Sequence, residues 1–290
     1  MTTDAFPISR PLAKAGLRPR RAFGLDTAAG HVLMAILSLF CLFPVYWMIV
    51  TSLRPANKVF EQSLWPTSVS LANYSYALDA IPMAHMLVNT LLVSAIVTVL
   101  QLLSGLLAAY AFARWRFRFD KVVHAAIALT WLVPLQVVMI PNYLLIANVG
   151  LLDSLAALIL PHVASALAIL MLLQAMRSFP NEVLEAARMD GARSWRTLWE
   201  VVMPNLRGTI ASLAILIFIS TWNEYFWPLL LSRTPENSVV QIGIQMFMTS
   251  EGTLWGPLMA ASTLASLPIF AIYVILQQQV VSSFMKSGIR

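Results

Sequence analysis

Glu224 stands in the middle of an apolar run, in the stretch "STWNEYFWPLL" from Ser220 to Leu230, and is the only acidic residue well inside such a run. A carboxylate near the centre of a bilayer costs about 2.5–3.5 kcal/mol on insertion scales, so it must face water or a partner. On an unbroken helix Ser220, Asn223, Glu224 and Trp227 recur at three- and four-residue spacings and share one face. That face carries hydrogen-bond donors and acceptors beside an aromatic ring. Such groups can line a water-filled path, or tie the helix to a neighbour or a partner subunit, and the spacing alone fits both. Asn89, Thr90, Gln136, Asn142 and His162 are explained more simply, as polar residues that hold membrane helices together.

Covalent chemistry has no counterpart in the chain. His31, His85 and His124 lack metal-ligand spacing, so no metal site is expected. Cys41 is the one cysteine and lies in an apolar run, which excludes a disulfide framework. No glycine is followed by lysine, so the phosphate-binding loop G-x-x-x-x-G-K-[ST] is absent.

A second cluster is "EAARMDGA", Glu185 to Ala192: three charges within six residues in a chain that is only 11% charged. Soluble domains carry charge on about a quarter of their residues. With 59% hydrophobic residues over 290, the sequence is that of an all-α integral membrane protein. About 20 apolar residues cross a bilayer as a helix. Six such runs are expected, at 31–53, 86–112, 122–147, 154–176, 208–231 and 258–281. The first follows a basic segment but is longer than a signal core and lacks a small-residue cleavage site, so it is expected to remain as a span.

Lysine and arginine set the orientation. Sixteen of the nineteen fall in the N-terminal segment, the 113–121 loop, the 177–207 loop and the C-terminus, against three (Arg54, Lys58 and Arg233) in the alternate loops. Both termini are therefore expected in the cytoplasm. The net charge of +6 is a topology signal, and nucleic acid is not an expected partner. Pro44, Pro134, Pro141, Pro161, Pro228 and Pro268 fall within the runs, and each removes a backbone hydrogen bond, so the helices are expected to kink there and to need neighbours or water for the freed carbonyls.

The 177–207 loop divides into two short helices. Pro180 and Asn181 suit a helix start, and Val183, Leu184 and Ala187 form an apolar stripe with Ala186 beside it. Gly191 is placed to end that helix in a left-handed conformation. Ser194 can cap a second segment bearing Trp195, Leu198 and Trp199, which runs to Pro204. On these grounds alone the hairpin either rests on the lipid or meets another protein.

The spacing Glu185-Ala186-Ala187, three residues, Gly191, nine residues, Val201-x-Met203-Pro204 resembles the EAA loop of ABC-importer permeases, E-A-A-x3-G-x9-I-x-L-P. Asp190-Gly191-Ala192 adds the "DGA" of the carbohydrate-uptake branch, the maltose-type second permease. "AYAFAR" at Ala109–Arg114, "WNEYFWPL" at Trp222–Leu229 and "MAASTLASLP" agree with the same branch, whereas the tail "SSFMKSGIR" lacks the usual final Val-Lys-Gly. The resemblance covers about residues 30–290. It implies a basic N-terminal segment, 1–30, and a six-span permease domain, 31–290, whose cytoplasmic coupling helix lies between spans four and five.

It further implies no catalysis and no cofactor on this chain. ATP and magnesium would act on a pair of partner ATPase subunits, with Glu185, Ala186, Ala187, Asp190, Gly191, Ala192 and Pro204 forming the coupling loop. A second permease, an extracytoplasmic solute-binding protein meeting loops 54–85 and 232–257, and a carbohydrate substrate complete the expected assembly. Ser220, Asn223, Glu224 and Trp227 would then offer sugar hydroxyls their partners. The rival reading, an ion-coupled secondary transporter, would need more ionisable residues within the spans than Glu224 and His162 supply.

Overall fold

The computed structural model describes residues 25–288. It divides into two units, Met1–Tyr46 and Trp47–Arg290. Helix α1, Leu25–Ser52, runs through the end of the first unit with Pro44 in its interior. Within that unit its apolar side chains are exposed on every side, Phe40 at 78%. That is the surface of a helix solvated by lipid chains rather than water.

The second unit contains α2 (Ala72–Ala80), α3 (Met83–Arg114), α4 (Asp120–Thr130), α5 (Leu135–Asn148), α6 (Leu155–Ile159) and α7 (Ala166–Arg177). It continues with α8 (Asn181–Met189), α9 (Ser194–Arg196), α10 (Met203–Asn205), α11 (Arg207–Trp222), α12 (Phe226–Leu231), α13 (Val240–Gln245) and α14 (Trp255–Gly288). A two-residue hairpin, β1 (Met248–Thr249) against β2 (Gly252–Thr253), pairs Met248 with Thr253 and Thr249 with Gly252. Helix α3 is the central element. It packs on α7 and α11, α11 on α14, and α14 on α2.

The sequence of α3 shows why it takes that place. Val88, Leu91, Leu92, Ile96, Val99 and Leu103 are exposed, whereas Asn89, Thr90, Ser94, Thr98 and Gln101 are buried. The apolar stripe faces outward and the polar stripe inward, as a helix in lipid requires. The Thr90 and Thr98 hydroxyls donate to the Met86 and Ser94 carbonyls, both at 2.6 Å. Gly105 lets α7 approach closely: a β-carbon there would lie 3.1 Å from Leu172 and 3.3 Å from Ala168. Between lipid-solvated helices such contact supplies dispersion energy where the hydrophobic effect supplies little.

Three of the expected spans are not straight helices. Among the described residues three helices (Ala28–Ser52, Met83–Arg114 and Trp255–Ile275) are individually long and apolar enough to cross a membrane, and three bent pairs raise the number to as many as six. In the 122–147 run, α4 and α5 meet at 98°; in the 154–176 run, the segment Leu155–His162 meets α7 at 43°; and Ser194–Asn205 meets α11 at 79°. The 208–231 run breaks after Trp222 and resumes at Phe226.

Proline accounts for much of this. Pro134 lacks an amide hydrogen and disfavours helical backbone at Val133, so α5 begins afresh behind it. Pro228 cannot bond the carbonyl four residues back, at Glu224, which is where the break falls. Pro44, Pro141 and Pro268 stay inside helices. The break near Pro161 frees carbonyls that α3 satisfies from across the bundle. Gln101 Nε2 donates to the His162 carbonyl at 2.9 Å, and Ser104 Oγ to that of Val163 at 2.9 Å. Broken backbone at membrane depth is tolerated under that condition.

Candidate functional site: a polar cavity and a protruding loop

The broken helices place a cavity of about 210 Å³ between α3, the α6–α7 break and the α11–α12 break. Ser220, Glu224 and Trp227 line it, together with Gln101, His162 and Ser165. Asn223 does not, because the helix on which the four residues would share a face ends at Trp222. The Asn223 amide nitrogen donates to the Ile219 carbonyl at 2.8 Å, and its oxygen accepts from Gln241 at 3.3 Å, so it closes α11 instead.

Each remaining candidate is held differently. Trp227 is 2% exposed, its indole donates to the Ala157 carbonyl at 3.2 Å, and its ring meets that of His162 edge-on at 6.1 Å. It is a wall, fixed at both ends. Glu224 accepts the Trp227 amide hydrogen on Oε1 at 3.3 Å and so caps the restart of the helix while lining the cavity. The Ser220 hydroxyl is exposed and makes no hydrogen bond among the described residues. Gln101 and Ser165 carried a signal that was readable: Thr90, Ser94, Thr98 and Gln101 recur along one face of α3, and Ser165 caps α7.

The second candidate is the 177–207 loop. Helix α8 starts behind Pro180, and its apolar side, Leu184 and Ala187, is buried against the chain's own core. Glu185, Ala186 and Asp190 are exposed. Ala187 therefore faces inward and Ala186 outward. Gly191 adopts φ +77°. Its amide donates to the Arg188 carbonyl at 3.0 Å, and that of Ala192 to the Ala187 carbonyl at 2.9 Å, the bond pair of a Schellman helix end. The second segment opens at Ser194 with Arg193 as the flanking residue, and the Ser194 side chain caps nothing. It widens into a π-helical turn, Thr197–Val202, before Pro204 enters α10. Trp195 and Trp199 stack edge-on at 5.4 Å on this turn, and Arg196 pairs with Glu200 at 2.7 Å.

The segment that follows α12 is clamped. Asp153, at φ +59°, accepts from the Arg233 and Thr234 amides at 2.8 and 3.0 Å and from the Thr234 hydroxyl at 2.8 Å. The amide of Thr234 first, and that of Arg233 next, bring its carboxyl from 3.8 down to about 2. From α3, Asn89 donates to the Glu236 and Ser238 carbonyls, and Thr90 accepts from the Val240 amide. Arg54, fully buried, donates to the carbonyls of Glu61 and Ser63, which orders the loop after α1. No group of three or more His, Cys, Asp or Glu side chains among the described residues is placed to hold a metal.

Comparison with known proteins agrees over most of the chain. The sn-glycerol-3-phosphate transport system permease protein of Yersinia enterocolitica is 32% identical over 274 residues, covering 91% of this chain and 97% of that one. The lactose transport system permease protein of Rhizobium radiobacter is 26% identical over 257 residues, covering 89% and 94%. The fold is shared with a bacterial ABC transporter involved in the import of the acidic polysaccharide alginate, with a TM-score of 0.77 at 24% identity over 87% of this chain and 95% of that one. The model of the family described as the binding-protein-dependent transport system inner membrane component matches residues 101–286. The chain is a transport permease component, and it belongs to that family of multi-pass inner-membrane proteins.

Proposed function

We propose that the chain is one of two permease halves of an ATP-driven importer for a sugar or a related polyol. The relatives' sugar and glycerol phosphate specificities support that substrate class. The observation that carries the coupling role is α8: a short helix with Glu185, Ala186 and Asp190 exposed, closed by a glycine that needs no side chain. In this reading residues 31–290 form the permease domain and 1–30 a basic cytoplasmic segment, with both termini inside. Loop 177–207 docks on an ATPase dimer that binds ATP and magnesium. Glu185 and Asp190 fix its register, Ala186, Gly191 and Ala192 leave room for the partner, Ala187 anchors the helix to its own subunit, and Pro204 sets the turn into α11.

The substrate path is assigned to the cavity holding Ser220, Glu224 and Trp227, while Asn223, which does not line it, closes α11. At about 210 Å³ it is smaller than the roughly 300–1,000 Å³ of pockets that enclose a whole ligand, which suits half of a path shared with a second permease. An extracytoplasmic solute-binding protein delivers the substrate to the loops at 54–85 and 232–257. The clamp on 232–240 supports such a docking role. The test is uptake by the reconstituted complex. ATP inside the vesicles is expected to drive uptake with proton and sodium gradients collapsed. Gradient-driven uptake without ATP would replace this reading with the ion-coupled one.

A further inference from the structure

A second cavity, about 480 Å³, opens at the other end of α3, where α3, α4, α7 and α8 meet. Four cations line it: Arg114, Arg116, Lys121 and Arg177, against the single carboxylate of Asp120. None of the four makes an ion pair or a side-chain hydrogen bond among the described residues. Arg114 and Arg177 end α3 and α7, where the helix dipole favours a cation without neutralising it. The first residues of α4 and α8, Asp120 and Asn181, also line the cavity, and no side chain caps α8. Four unpaired cations beside an open helix start form a site for an anion.

The surroundings indicate which anion. From Arg114 to Phe119 cations alternate with aromatics, and the backbone leaves the helix at Trp115, where it is extended. Arg114 and Arg116 line the cavity, whereas Trp115, Phe117 and Phe119 are 51%, 42% and 60% exposed. Val122 on α4 is exposed as well. Exposed aromatics beside bare apolar side chains mark the headgroup level of a bilayer. We propose that this cavity binds the phosphate headgroup of an anionic phospholipid from the cytoplasmic leaflet, at the joint between α3 and the base of the coupling helix. The placement rests on the orientation given by lysine and arginine.

The experiment uses the assembled importer in nanodiscs of phosphatidylcholine with a minor fraction of phosphatidylglycerol, and native mass spectrometry reads the retained anionic lipid. Nanodiscs expose both faces, so the result does not depend on orientation, which cysteine labelling at Arg118 in sealed vesicles reads separately. Arg114→Gln with Arg116→Gln is expected to weaken retention about 30-fold, and Lys121→Gln alone about fivefold, from the value of a basic residue at an anionic surface. Lys58→Gln, in the loop after α1, is the control and is expected to leave lipid retention unchanged. Equal retention in all variants overturns the proposal. So does displacement of the lipid by millimolar inorganic phosphate, which would make the site one for free phosphate. Retention by the permease pair but not by the complete importer overturns it too, because the ATPase would then fill the cavity.

Discussion

Substitutions at Gly191 separate two effects that a single variant would confuse. The residue closes α8 at φ +77°, a region that costs a residue with a β-carbon about 1–2 kcal/mol. Replacing glycine by alanine also stiffens the unfolded chain, which returns about 0.4–1 kcal/mol. The net loss for Gly191→Ala is thus about 1 kcal/mol, roughly a fivefold shift in favour of an open helix end. Among the described residues no atom outside the immediate neighbours lies within 4 Å of the β-carbon position, so no internal clash adds to this. Asparagine tolerates the left-handed region better than alanine and is larger. Thermal unfolding of the permease in detergent should place Gly191→Asn nearer wild type than Gly191→Ala. Substrate-stimulated ATPase activity of the assembled importer should show the reverse order, because the added atoms meet the partner. Equal melting temperatures would refute the conformational argument, and an asparagine variant with wild-type coupling would refute the close approach.

Glu224 allows a similar separation. Glu224→Gln keeps an acceptor for the Trp227 amide and removes the charge, whereas Glu224→Ala also loses the cap, worth about 1 kcal/mol. Uptake lost in both variants, with assembly intact, assigns the carboxylate to the path; uptake retained by glutamine leaves it a cap alone. At Asp153 the folded carboxyl lies below its ordinary value, so the clamp on 233–237 is fully present above 3.8 and is lost as pH falls towards 2. The protection of the Arg233 and Thr234 amides, measured against their intrinsic exchange rates, should fall in that window. Asp153→Asn, which keeps the left-handed backbone and an acceptor oxygen, should lower stability by no more than about 1 kcal/mol at neutral pH, because solvent screens the carboxylate, and unchanged protection at Thr234 would contradict the assignment.

Helix α8 was legible as a helix because its signals are local: Pro180 starts it, Gly191 ends it, and Leu184 and Ala187 of the expected stripe take its buried side, whereas Val183 is exposed. Kinks at the prolines were expected, but which of them would break a span was not legible. Six prolines look alike in the sequence, yet Pro141 stays within α5 while Pro134 and Pro228 stand at breaks. Whether a freed carbonyl is tolerated depends on donors far along the chain, as Gln101 and Ser104 are from His162 and Val163. The cavity was partly legible for that reason. Ser220, Glu224 and Trp227 were found by helical spacing, and Asn223 was grouped with them because the spacing assumed a continuous helix. Gln101 belongs to a polar stripe on α3 that the same periodicity could have shown. Ser194 was expected to cap a helix, but Arg193 holds that position and the turn widens into a π-helix.

The central claim is that force from a separate ATPase enters through α8. Its most direct test is oxidative cross-linking in the assembled importer, with Cys41 replaced by serine and one cysteine placed at Ala186, whose side chain is exposed. Cysteines scanned across the ATPase surface are expected to give a disulfide at one narrow region, with a yield that changes when ATP is bound. A cysteine at Glu236, on the clamped loop, is expected to give none. Equal cross-linking at both positions, or none at Ala186 in a complex that transports, would contradict the account.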